Sequence, residues 1–214
     1  MTQNHIMKNI LLPILIFLCV ANTSFSQEKS DSTTSKWTFS ASAFYYIIPE
    51  EKNTATVIGY ADYKSFHFEA RYNYEDRKTG SIFAGKRFET GNKFVFGATP
   101  MAGLVFGNTD GFAPALELDA TYKIFDYYSE TEYVIDFSGS ENNFLYTWGE
   151  LGVTPFGSFR TGLTYQRTKL YQSNFEVQRG IFAEYGFWKI TTGLYFFDPF
   201  SDSQFVIASL SFDF

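Results

Sequence analysis

One cysteine and two histidines are all that the 214 residues contain. Cys19 and His5 both sit near the start, so the chain beyond them offers a single histidine, His67, and no thiol. That excludes disulfides, a thiolate nucleophile and any metal site with cysteine ligands. It also removes the His and Cys spacings of zinc-binding motifs. Neither a phosphate-binding loop nor a dinucleotide fingerprint occurs. "GNTDG" at 107–111 resembles a calcium loop in composition only and is read as a hairpin turn. No metal and no cofactor is expected. Basic charge is scarce too: without Lys8 of the leader, 16 basic residues stand against 23 acidic ones, a net charge of −7. That argues against nucleic acid as a partner. Beyond residue 20 no apolar run approaches the ~20 residues of a membrane-spanning helix, and helix-period patterns are few.

The first 26 residues read as a secretory signal peptide. Lys8 precedes an apolar run from Ile10 to Val20, then small and polar residues, with cleavage expected after Ser26. Cys19 would suit a lipoprotein site, but Leu18 stands before it where that pattern needs Gly or Ala. Residues 27–35, "QEKSDSTTS", read as a short polar periplasmic tail. An exported chain without disulfides must be held by an extensive hydrogen-bonded structure.

What the sequence has in abundance is aromatic side chains, 21% of the chain, set in alternating segments. In "FHFEARYNYED" Phe66, Phe68, Ala70, Tyr72 and Tyr74 alternate with His67, Glu69, Arg71, Asn73 and Glu75. A period of two means a strand with two unlike faces. Twelve such segments follow one another from residue 36, separated by turn residues such as "PEEKN", "TGN", "SGSEN" and "DPFSDS". No linker divides them, so 36–214 is read as one domain. Strands of this length suit membrane crossing, for which about 9–11 tilted residues suffice. The expected fold class is all-β, a closed antiparallel transmembrane barrel of about twelve strands. Both ends then lie on the periplasmic side.

The last strand is the sharpest signal. "QFVIASLSFDF" places Val206, Ala208, Leu210, Phe212 and Phe214 on one face and ends on an aromatic residue. It resembles the C-terminal strand of Gram-negative outer-membrane β-barrel proteins. That resemblance implies export to the outer membrane, contact with its lipid and lipopolysaccharide, and insertion by the barrel-assembly machinery, which reads the terminal aromatic. It implies no particular activity. The rival is a secreted soluble β-sandwich or lipocalin-like barrel.

In a membrane barrel the aromatic face meets lipid and the polar face lines the lumen. His67, Glu69, Arg71, Asn73 and Glu75 then point inward from the third strand. Glu117, Asp119, Thr121 and Lys123 do so from the sixth, and Glu130, Glu132 and Asp136 from the seventh. A turn at "KIFD" would set Asp119 opposite Glu132 and Thr121 opposite Glu130. Glu150 lies on the eighth strand. A hairpin centred on Gln172 sets Gln166 opposite Gln178 and Arg160 opposite Glu184, and turns Arg167 and Arg179 outward, where they suit lipid headgroup phosphates.

Three functions follow. Acidic residues facing Arg71 and Lys86 or Arg87 would make a narrow passive channel with weak cation preference. The same charges, closed on one another, would make a filled structural or partner-binding barrel. An outer-membrane lipid hydrolase or acyltransferase would need His67 beside a serine at the outer leaflet, and the expected topology puts His67 near a periplasmic turn. The channel reading is preferred and no catalytic residue is assigned.

Overall fold

A computed structural model describes residues 36–49, 51–168 and 177–214. The expected leader and polar tail lie outside the described residues, as does the start of the expected tenth strand. The strands are β1 (Thr38–Ile47), β2 (Thr54–Tyr63), β3 (Phe66–Tyr72), β4 (Thr79–Lys86), β5 (Phe88–Gly91), β6 (Phe94–Gly107), β7 (Gly111–Tyr122), β8 (Phe125–Asp136), β9 (Phe144–Phe156), β10 (Phe159–Arg167), β11 (Gln178–Phe187), β12 (Ile190–Phe197) and β13 (Phe205–Asp213). β4 and β5 pair with β6 in one unbroken register, Gly85 with Met101 and Phe88 with Ala98, so they are two halves of a single strand interrupted at Arg87. β1 pairs with β13 and closes the sheet. The result is a closed twelve-stranded antiparallel barrel with no free edge.

Connections at the two ends differ. At the end that carries both termini, Lys64–Ser65, Lys123–Ile124 and Trp188–Lys189 form two-residue turns, each with its first residue at positive φ. Such turns match the twist of the strands they join. The opposite end carries the longer loops, including 73–78, 137–143 and 198–204.

Gly91 is one place where only glycine serves. Its φ is +107°, and a Cβ there would lie 1.9 Å from the Phe94 carbonyl oxygen. Gly91→Ala is expected to cost about 1–3 kcal/mol through backbone strain. A shift of the urea unfolding midpoint of the folded barrel would show it, and an unchanged midpoint would contradict it.

Two expectations are corrected and one alternative is resolved. First, β3 ends at Tyr72. Asn73 takes a left-handed conformation, φ 55°, and its side chain donates to the Ala55 carbonyl and accepts from the Lys78 amide. Asn73 therefore caps a loop and does not line the lumen. This turn breaks the alternation, so Tyr74 is buried together with Glu75 instead of facing outward. Second, β7 and β8 meet through the two-residue turn Lys123–Ile124, which moves the partner of Asp119 from the expected Glu132 to Tyr128. Glu117 stands opposite Glu130, Asp119 opposite Tyr128 and Thr121 opposite Asp126. Lys123 belongs to the turn, at φ 56°, with its ammonium 5.2 Å from the Tyr122 ring. The alternative of Lys86 or Arg87 is resolved for Arg87, which points inward, while Lys86 is outward and exposed beside Phe88.

The outer face is apolar: Phe66, Tyr72, Ile82, Leu104, Ile181 and Leu194 are among the exposed large side chains. The inner face, however, is not purely polar. Phe83, Tyr146, Trp148, Phe182, Tyr195, Phe197 and Phe205 are buried inside, with Phe197 and Phe205 stacked at 5.0 Å and Phe182 and Tyr195 at 5.4 Å. Eight strands enclose a space that ordinary side chains just fill, and twelve enclose more. Large inward rings close the difference.

Candidate functional site: the lumen

Charged residues in the lumen gather around three arginines. Arg71, on β3, is the deepest. Its guanidinium donates to Glu69 on its own strand. It lies 2.6 Å from Glu130 Oε1, 3.0 Å from Glu132 Oε2 and 3.6 Å from Glu75 Oε1. The rings of Phe83 and Tyr74 flank it at 4.2 and 4.6 Å. Tyr74 donates to Glu130 at 2.7 Å, and Ser81 donates to Glu75 at 2.5 Å. All five charged side chains are buried. One cation among four carboxylates leaves an excess of acid, and Glu75 Oε2 and Glu132 Oε1 are buried with no hydrogen-bond partner among the described residues.

Arg160, on β10, makes the second centre. It binds Asp126 at 2.5 Å, Glu150 at 2.6 Å and Glu184 at 2.8 Å, and lies over the Phe182 ring at 4.6 Å. The Trp148 indole donates to Glu150 at 2.9 Å, and the Tyr195 hydroxyl lies 2.5 Å from Glu184. Arg87 makes the third centre, with Asp119 at 2.5 Å and Glu89 at 2.9 Å.

Exposure divides the lumen in two. The Asp62 side chain is 46% exposed, Arg87 40% and Arg160 22%, all toward the end with the termini. Toward the long loops, Thr56, Thr79, Val134, Gln166, Phe197 and Ile207 are almost fully buried, as are Glu75 and Thr109 of the loops themselves. The interior is thus a blind vestibule, open at the terminus end and packed shut toward the loops.

The other residues singled out in the sequence fall as follows. Gln166 donates to Gln178 at 2.7 Å at the packed end. Thr121 is exposed at the open mouth. Asp136 sits where β8 meets its loop, accepting from the Ser138 amide at 2.7 Å. Arg167 and Arg179 are on the outer face, where Arg179 pairs in register with Tyr165; Arg167 donates to the Leu145 carbonyl. The ring nitrogens of His67 meet Asp62 at 2.6 Å and Glu69 at 2.8 Å. The partners described for His67 are thus carboxylates, not a serine hydroxyl.

Asp62, Asp126, Tyr128, Trp148 and Tyr195 belong to these networks and were not foreseen. Asp62 and Asp126 carry a signal: each sits two residues along the same face from a predicted inward position or its ladder neighbour. Tyr128 and Trp148 carry the same signal, two residues from Glu130 and Glu150, but aromatic side chains are expected on the lipid face; Tyr195 carries none, because its neighbours Leu194 and Phe196 are just as apolar.

A closed antiparallel barrel with an apolar outer band, a charged interior and short turns at one end is a transmembrane β-barrel. In fold the chain is similar to the KdgM porin, with a TM-score of 0.58 at 10% identity over 82% of this chain and 99% of that one. It matches the KdgM porin in complex with disordered oligogalacturonate equally, with a TM-score of 0.59 at 10% identity over the same shares. No protein-family model matches the sequence, and no curated protein matches it significantly.

Proposed function

We propose that the chain is a porin-like barrel of the Gram-negative outer membrane that passes small cations through a narrow, normally closed lumen. The observation that carries this is the acidic vestibule, where each of three arginines faces more than one carboxylate. Excess negative charge in a low-dielectric passage concentrates cations and repels anions. The architecture shared with a porin supports the reading. The two-residue turns support placing the vestibule on the periplasmic side, since membrane barrels keep short turns there. Arg167 and Arg179, on the outer face near the long-loop end, suit the phosphates of lipopolysaccharide. Phe214 closes a C-terminal strand of the kind the barrel-assembly machinery reads.

Planar-bilayer recording of the folded protein tests the function. Rare, small openings are expected, with a reversal potential favouring cations under a potassium chloride gradient. Anion preference would overturn the proposed selectivity. A complete lack of events, in wild type and in variants with a widened lumen alike, would overturn the channel. A filled structural barrel is the second reading, favoured by the packing around Phe197 and Trp148.

A further inference from the structure

Between the Arg71 layer and the open mouth, three side chains from β3 and β7 converge. His67 Nε2 lies 2.8 Å from Glu69 Oε1 and 3.9 Å from Glu117 Oε2. All three atoms are within 4.8 Å of one another. Each residue is held from behind by a different group. Asp62 Oδ1 is 2.6 Å from His67 Nδ1, Arg71 donates to Glu69 Oε2, and Tyr128 donates to Glu117 Oε1 at 2.7 Å. We propose that His67, Glu69 and Glu117 bind a divalent transition-metal ion of the zinc class inside the vestibule.

The spacing fits. Donors about 2.1 Å from a tetrahedral zinc stand roughly 3.4 Å apart, and the two observed separations bracket that value. The Asp62–His67 pair is the arrangement that fixes a ligating imidazole with Nε2 toward the metal. Two carboxylates and one imidazole leave a coordination position for water. The Glu69 side chain is 1% exposed, so its negative charge is poorly hydrated and gains from a cation.

An independent sign comes from the neighbouring layer. Glu75 Oε2 and Glu132 Oε1 are buried without hydrogen-bond partners among the described residues, although both side chains already share Arg71. The interior is short of positive charge beyond what its arginines supply, and a bound ion would take the place of the proton that His67 Nε2 shares with Glu69. An ion has a route in, because the His67 and Glu117 side chains keep 14% and 12% exposure toward the vestibule. A histidine without cysteine offers no metal spacing along the chain, and here the ligands come from strands three positions apart around the barrel.

The test is isothermal titration calorimetry of the full folded barrel in detergent micelles with zinc chloride alone. One saturable ion per barrel is expected. Glu117→Gln, which keeps the oxygen that accepts from Tyr128, and His67→Ala should each weaken binding at least tenfold. Asp62→Asn should weaken it by about 10- to 100-fold, the usual effect of losing a partner behind a ligand. Glu51→Gln, in the exposed pair with Arg77, should leave it unchanged. Absence of saturable binding in wild type overturns the site. So does binding unaltered in both Glu117→Gln and His67→Ala. If His67→Ala fails to fold, shown by loss of heat-modifiable mobility, Glu117→Gln decides alone. Neither outcome depends on whether the barrel conducts.

Discussion

Arg71→Met is expected to destabilise the folded barrel by about 3–5 kcal/mol, the cost of breaking a buried ion pair by removing one partner. The carboxylates left behind set the size of the loss. Glu69, Glu75, Glu130 and Glu132 all keep their buried positions and lose the guanidinium they share. Methionine fills much of the volume between Phe83 and Tyr74, so cavity formation contributes little and the loss is mainly electrostatic. Adding Glu130→Gln and Glu132→Gln to Arg71→Met should recover more than half of the stability, because neutral amides need no cation. Urea titrations of the three barrels in detergent, at matched pH and salt, measure both effects. A loss below 1 kcal/mol in the single variant would mean that water or ions reach Arg71 and that the middle of the lumen is wetter than described. Failure of the two glutamines to recover any stability would locate the loss in packing instead.

The acids around Arg71 were legible one strand at a time. Alternation in β3 and β8 put Glu69, Arg71, Glu130 and Glu132 on the inner face. Which of them meet depends on register, and register depends on turns. The β10–β11 hairpin could be counted from its centre, and Gln166 does stand opposite Gln178 and Arg160 opposite Glu184. The β7–β8 hairpin could not, because "KIFD" lacks the Gly, Asn or Pro that would mark the centre and length of its turn. Left-handed Lys123 sets a two-residue turn, which moves Glu117 opposite Glu130. Asn73 shows the same limit at a strand end. Nothing in the alternation of "RYNYED" marks where pairing stops, whereas the backbone at Asn73 does.

The metal ligands illustrate a different limit. His67 and Glu69 are two residues apart, but Glu117 lies 50 positions beyond His67 and meets them only because the sheet curls into a barrel. Closure itself was legible from strand count and length, while the contacts it creates across the lumen have no local signature. The division of aromatic residues between lipid and lumen was hidden for a third reason. In "GLYFFDP" Tyr195 and Phe197 are buried inward and Leu194 and Phe196 lie on the other face, yet all four are apolar. A period of two separates faces only when their chemistry differs.

That inward aromatic packing leads to the second large effect. Trp148→Ala combined with Phe197→Ala should convert rare openings into persistent ones in planar bilayers. Trp148 stacks edge-on with Phe197 at 5.6 Å and with Tyr195 at 5.3 Å, and Phe44 lies 6.0 Å from Trp148 and 6.5 Å from Tyr195. These rings come from β1, β9 and β12, so they span the lumen. Each truncation is expected to cost about 3–5 kcal/mol if the space stays empty, and less if water enters from the acidic vestibule. Water entry is favoured here, because losing the Trp148 indole also leaves Glu150 without one of its donors. Cation preference should persist in the widened barrel, since Glu150, Glu184 and Asp126 remain with Arg160. A folded double variant that still passes no current would mean that the packed end is closed by more than these rings. Thr109 and Glu75 of the long-loop end, both fully buried, would then be the next barrier, and the filled-barrel reading would account for the lumen better than the channel does.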